Sequence, residues 1–209
     1  MPGRVSRSKL LLFIVCLIPA GVLAWQWWQD ALGANPVERL IHETGIWTLR
    51  GLLITLAVTP VRRLTGWQGI VRYRRMLGLF TFFYASLHLL FYLWLDQGFW
   101  WDEIWLDIRE RPFITVGMGT FFILSMLALT SPTPVIRRLG GIRWRRLHRL
   151  VYVAALGGVI HYWWLVKADV TSPVLYASLL GGLMILRLPG RFDWSRRVVV
   201  RPFSSSVNE

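Results

Sequence analysis

A chain of 209 residues that is 55% hydrophobic, 14% aromatic and only 17% charged is not built like a soluble domain, which carries about 25% charge and lacks long apolar runs. Its net charge of +13 suggests a nucleic-acid partner until the placement of that charge, described below, excludes one. The lone cysteine, Cys16, excludes an internal disulfide and a cysteine-ligated cluster.

Six apolar runs follow in chain order, and helices of ~17–20 residues rising 1.5 Å each cross a ~30 Å hydrocarbon core. The first covers about Leu10–Trp28. Arg4, Arg7 and Lys9 ahead of it and Ala20–Ala24 within it also fit a signal peptide, but its length and terminal Trp suit a retained span. His42 falls in the first outer loop, where solvation accounts for it. The second run, Ile46–Val61, closes at Thr59-Pro60 and carries Arg50 about a turn inside its outer end. The third, Met76–Leu95, encloses His88, and the polar, aromatic loop Asp96–Arg111 leads to the fourth, Phe113–Thr130. Gly140-Gly141 breaks the chain before the fifth, Leu147–Trp164, which has His148 at its start and His161 near its outer end. Ser172-Pro173 precedes the sixth, Val174–Leu188. The expected fold is an all-α membrane protein, one six-helix transmembrane bundle over residues 1–209. Short connections make successive helices antiparallel neighbours.

Charge gives the bundle a direction. Nineteen of the 24 Lys and Arg lie at the N-terminus (Arg4, Arg7, Lys9), in the second loop (Arg62, Arg63, Arg72, Arg74, Arg75), in the fourth loop (Arg137, Arg138, Arg143, Arg145, Arg146, Arg149) and in the C-terminal tail (Arg187, Arg191, Arg196, Arg197, Arg201). Nine of the eleven acidic residues lie in the other three loops. Positive charge collects on the cytoplasmic side, so both termini are expected there. The first, third and fifth helices then run outward. Ten of the thirteen tryptophans fall near the outer ends of the spans, where such rings favour the headgroup layer.

Ionisable side chains inside a membrane are costly and mark functional positions. His88 lies about 12 residues into the third run and His161 about 14 into the fifth, so their depths agree within ~3–4 Å on helices of one direction. Two imidazoles facing one another at one level suit the axial ligation of a haem iron. The same pair would also serve as a hydrogen-bonded bridge between helices.

Five ordered strings carry a resemblance: Val58-Thr-Pro-Val-Arg-Arg63; Arg74-Arg-Met-Leu-Gly-Leu79 with Tyr84 and His88; Arg111-Pro-Phe-Ile-Thr-Val-Gly117; Leu129-Thr-Ser131; and Trp144-Arg-Arg-Leu-His148. From about Gly45 to Trp164 the chain resembles MsrQ (formerly YedZ), the haem-binding membrane subunit of the bacterial protein-methionine-sulfoxide reductase system. That family belongs to the ferric-reductase-like transmembrane superfamily. The resemblance implies a multi-pass protein of the bacterial cytoplasmic (inner) membrane with b-type haem, one or two, and bound FMN. It further implies electron delivery to a periplasmic molybdenum-cofactor subunit that reduces methionine sulfoxide, with the quinone pool or a cytosolic flavin reductase as donor. Membrane lipid is a further expected partner, and nucleic acid is not expected. His88 and His161 are the expected ligands of an outer haem, and Arg50 is either its propionate partner or a side chain snorkelling to the interface.

Related diheme cytochromes place histidines 13 or 14 residues apart on each of two helices. Here His148 and His161 keep that spacing, but the position 14 before His88 is Arg74. Guanidinium has no free lone pair for iron. An inner haem, if present, is therefore expected near His148 with Arg74 on a propionate. Thirteen residues of ideal helix turn by about 220°, so the two histidines share a face only if the helix bends, for example at Gly157-Gly158. The chain has no Gly-rich dinucleotide fingerprint for taking hydride from a nicotinamide by itself, and it lacks a soluble catalytic site, so substrate reduction is expected on a separate subunit. Two alternatives stay open: a stand-alone ferric- or quinone-linked b-type cytochrome, separated by whether methionine-sulfoxide reduction requires an added partner, and a cofactor-free transporter, which would be colourless.

Overall fold

The computed structural model describes residues 6–188; Arg4 and the tail residues Arg191, Arg196, Arg197 and Arg201 lie outside them. Among the described residues every regular element is helical. Nine α-helices follow one another: α1 (Arg7–Trp28), α2 (Pro36–Thr65), α3 (Arg74–Phe91), α4 (Trp101–Glu110), α5 (Pro112–Leu129), α6 (Thr133–Leu139), α7 (Gly141–Leu147), α8 (Val151–Leu165) and α9 (Thr171–Ile185). A 3-10 segment, Gln68–Tyr73, leads into α3, and a π-helical turn, Tyr92–Asp96, continues it. Among the described residues four helical stretches are long and apolar enough to cross a membrane: Arg7–Trp28, Pro36–Thr65, Gln68–Asp96 and Pro112–Leu129. The two apolar helices α8 and α9 have 15 residues each, or about 22 Å of rise.

The core is a four-helix arrangement of α2, α3, α5 and α8, with α1 laid against α2 and α3 and α9 against α2 and α8. The contacts fix the directions. Gly45 faces His88 while Gly51 faces Thr81, so α2 and α3 are antiparallel; Gly117 faces His161 while Thr120 faces Gly157, so α5 and α8 are antiparallel too. α2 is the central element. Leu49, Leu52, Leu53 and Leu56 are buried along it and pack on Ala85, Ala154, Ala155 and Val159. Small residues on α8 let the backbones approach, as suits helix packing in lipid, where close van der Waals contact drives association. By contrast α1 buries only Leu23.

α1 is instead tied to the bundle by a polar contact. Pro19 interrupts its hydrogen-bond ladder. The Tyr84 hydroxyl donates to the Cys16 carbonyl (2.7 Å) and accepts from the Ala20 N–H (3.2 Å), standing between two groups that would otherwise bond each other.

Three boundaries differ from the sequence reading. α2 begins ten residues before its apolar run, because Pro36 opens it, Glu38 sits in its first turn and Arg39 pairs with Glu43 at 3.2 Å. His42 is therefore helical, not in a loop. The segment Asp96–Arg111 contains the helix α4, whose buried Ile104 faces the protein while Trp101, Asp102, Glu103 and Trp105 are exposed. Finally, α8 runs unbroken through Gly157-Gly158; the change of winding lies at His148–Leu150, a 3-10 turn.

Candidate functional site

His88 on α3 and His161 on α8 face each other with ring centres 6.0 Å apart and planes at 88°. Each is held in the same way. His88 Nδ1 donates to the Ile41 carbonyl of α2 at 2.8 Å, and His161 Nδ1 donates to the Phe113 carbonyl of α5 at 2.6 Å. A carbonyl only accepts, so Nδ1 is the protonated nitrogen on both rings and Nε2 keeps its lone pair. Metal-ligating imidazoles commonly carry such a second bond, which fixes tautomer and orientation.

The pair borders a cavity of about 560 Å³ between α2, α3, α5 and α8. Its walls are largely apolar, with Leu49, Leu52, Ala85, Ile114 and Leu124 among them. Titratable groups also line it: Glu38, His42, Tyr92, Asp96 and Arg111. Arg111 pairs with Asp107 at 3.3 Å, and Tyr92 donates to the same carboxylate at 3.2 Å. The residues fit a bis-imidazole metal group. A metal at about 2 Å from each nitrogen, with each ring centre about 1.1 Å behind its nitrogen, needs ring centres roughly 6 Å apart.

The other sequence-predicted residues lie elsewhere. Arg50 is not among the residues lining the cavity; its Nε donates to the Tyr176 hydroxyl of α9 at 3.0 Å and its guanidinium lies 4.8 Å from the Trp47 ring centre. His148 is half-buried in the 3-10 turn just before α8, its Nε2 3.1 Å from the Thr130 hydroxyl and its ring 4.1 Å from that of Trp144. The Trp144 indole N–H donates to the Thr130 carbonyl, so these three residues form one unit. Arg74, in the first turn of α3, is within electrostatic reach of His148. Arg187, counted from sequence only as tail charge, reaches back to the Leu56 carbonyl and donates to the Tyr152 hydroxyl at 2.6 Å. His42 and Arg111 were in view as residues but not as cavity walls. Extending the helical reading of α2 outward from Pro36 would have brought His42 one turn from Gly45.

Residues 44–159 match the family model described as "Ferric reductase like transmembrane component". The chain is 46% identical over 198 residues to a protein of Herminiimonas arsenicoxydans, covering 94% of this chain and 90% of that one. It is 49% identical over 203 residues to one of Xanthomonas euvesicatoria pv. vesicatoria (94% and 92%) and 50% identical over 191 residues to one of Azospira oryzae (91% and 82%). All three are named "Protein-methionine-sulfoxide reductase heme-binding subunit MsrQ".

Proposed function

The chain belongs to the MsrQ family of haem-binding subunits, within the ferric reductase like transmembrane components, and on that premise we propose that it carries electrons across a bacterial cytoplasmic membrane to a periplasmic methionine-sulfoxide reductase. The observation that carries the reading is the pair of opposed imidazoles, both with Nδ1 tied to a carbonyl and both bordering an apolar cavity. His88 and His161 hold a b-type haem there, which supplies reversible one-electron chemistry. The protein's part is to present two neutral nitrogens, to exclude water and lipid with the apolar walls, and to set the depth of the site. Arg111, at the polar end of the cavity, offers a propionate a charge-assisted contact. Arg50 faces Tyr176 and is better placed to hold α9 against α2.

In this reading α1, α2, α3, α5, α8 and α9 all span the membrane, and both termini are cytoplasmic. The unequal distribution of arginines and carboxylates supports that orientation. If the protein holds a second, inner haem, it lies near His148, with Arg74 on a propionate. FMN binds among the inner basic residues, and electrons arrive from the quinone pool or a cytosolic flavin reductase. The acceptor is a molybdenum-cofactor subunit that carries out the substrate reduction, and α4 is its docking element. Visible spectra of the purified protein, oxidised and dithionite-reduced, test the haem. Methionine-sulfoxide reduction that appears only when the periplasmic subunit is added tests the partnership. A colourless protein would overturn the proposal.

A further inference from the structure

The two histidines share more than a hydrogen bond. Ile41 and Gly45 are four residues apart on α2, and Phe113 and Gly117 are four apart on α5. Residues at that spacing lie one above the other on a helix face. Each imidazole spans such a step, with Nδ1 on the carbonyl of the first residue and its ring edge on the bare Cα of the second. A Cβ on Gly45 would stand 3.0 Å from both Cε1 and Nδ1 of His88; one on Gly117 would stand 2.8 Å from the same atoms of His161. These contacts lie in two separate helix pairs, so the arrangement occurs twice. It does not follow from glycine in general: a Cβ on Gly119, two residues from Gly117, would meet nothing within 4 Å. Glycine inside a helix is less stable than alanine, so two glycines pressed against two histidines call for a reason.

Building on the haem reading above, we propose that Gly45 and Gly117 are positioning residues for the iron ligands: by lacking a Cβ they let the Ile41 and Phe113 carbonyls capture the Nδ1–H of His88 and His161 and aim both Nε2 atoms at one metal. A helical carbonyl has a second lone pair left after its own i+4 bond, so the capture costs the helix no hydrogen bond. Using carbonyls rather than carboxylates also leaves no charge to be buried at membrane depth. The bond has an electronic consequence. Donation from Nδ1 makes Nε2 more basic, which favours ferric over ferrous iron and lowers the midpoint potential. Pushing the ring off its carbonyl should raise the potential and turn the imidazole plane.

The test uses the full-length, haem-loaded protein in detergent, with the midpoint potential and the low-spin ferric electron paramagnetic resonance signal as readouts. Gly45→Ala and Gly117→Ala are compared with Gly51→Ala, whose Cβ would meet the Thr81 hydroxyl at 2.6 Å and no histidine, and with Gly119→Ala in open space. The first two should move the potential upward and shift the low-spin signal, Gly117→Ala the more. Gly51→Ala should lower thermal stability while moving neither readout, and Gly119→Ala should match the parent. If Gly117→Ala does not accumulate, Gly45→Ala carries the test together with Nδ1-methylhistidine at position 88 or 161, which removes the donor and lifts the ring off its carbonyl while both glycines stay in place. The potential should again rise. Unchanged or lowered potentials in Gly45→Ala and the methylhistidine proteins would overturn the proposal, as would an equal shift in Gly51→Ala. Failure of the underlying haem reading looks different: His88→Ala and His161→Ala would then keep the parent spectrum.

Discussion

His161 and His148 stand at opposite ends of one helical stretch, α8 and the 3-10 turn before it, and their surroundings differ. His161 has Nδ1 on a backbone carbonyl, a second imidazole 6.0 Å away and a cavity in front of it. His148 has its Nε2 against a threonine hydroxyl and its ring against a tryptophan, with Arg74 within electrostatic reach. An imidazole becomes a metal site when its second nitrogen is fixed and its first is left free with a partner opposite. His161 meets all three conditions. His148 would have to give up its threonine contact to meet one of them.

The largest effect that sharpens this contrast is expected at the outer pair. His88→Ala or His161→Ala should abolish the outer low-spin haem spectrum, read from reduced-minus-oxidised difference spectra of purified protein. His148→Ala comes next. It should leave the outer spectrum intact and remove at most one haem per chain, measured by pyridine haemochrome against protein. Loss of the outer signal in that variant would erase the distinction between the two ends. A several-fold effect is expected from Asp102→Lys with Glu103→Lys on the exposed face of α4. Electron delivery to the periplasmic subunit should slow at low ionic strength, and the difference should shrink as salt is raised; equal rates at low salt would instead leave α4 as an interfacial helix. The smallest is Tyr84→Phe. Removing the hydroxyl that stands between the Cys16 carbonyl and the Ala20 N–H should loosen α1 by about 0.6–1.7 kcal/mol. Faster labelling of Cys16 by a membrane-permeant thiol reagent would report it, with the haem spectrum unchanged because Tyr84 does not line the cavity.

Depth was the most legible property of the site. Because rise per residue is constant, counting from the start of an apolar run placed His88 and His161 at one level, and the two rings do face each other. Their partners were not legible in the same way. A backbone carbonyl has no residue type to betray it, and the role of Gly45 or Gly117 depends on which helix lies opposite. Arg50 shows the same limit. An intramembrane arginine reads from sequence as a candidate for an anionic ligand, whereas its guanidinium meets Tyr176, 126 residues away, because α9 packs beside α2.

What the sequence determined by itself was the all-helical class, the positions of the apolar runs, the segregation of charge and the level of the histidine pair. All of these depend on composition along one dimension, and the hydrocarbon core acts on them one segment at a time. Apolarity stops at the interface but helix does not, so the extra turns at the start of α2 and the short helix α4 escaped it. Only the tertiary structure decided that α2 would be the central helix, that two carbonyls would orient two imidazoles, and that the break in winding would fall at His148 rather than at Gly157-Gly158. Those outcomes depend on which faces meet. In lipid that choice is made by close packing and hydrogen bonds between particular side chains and backbones, and a hydropathy pattern is nearly blind to both.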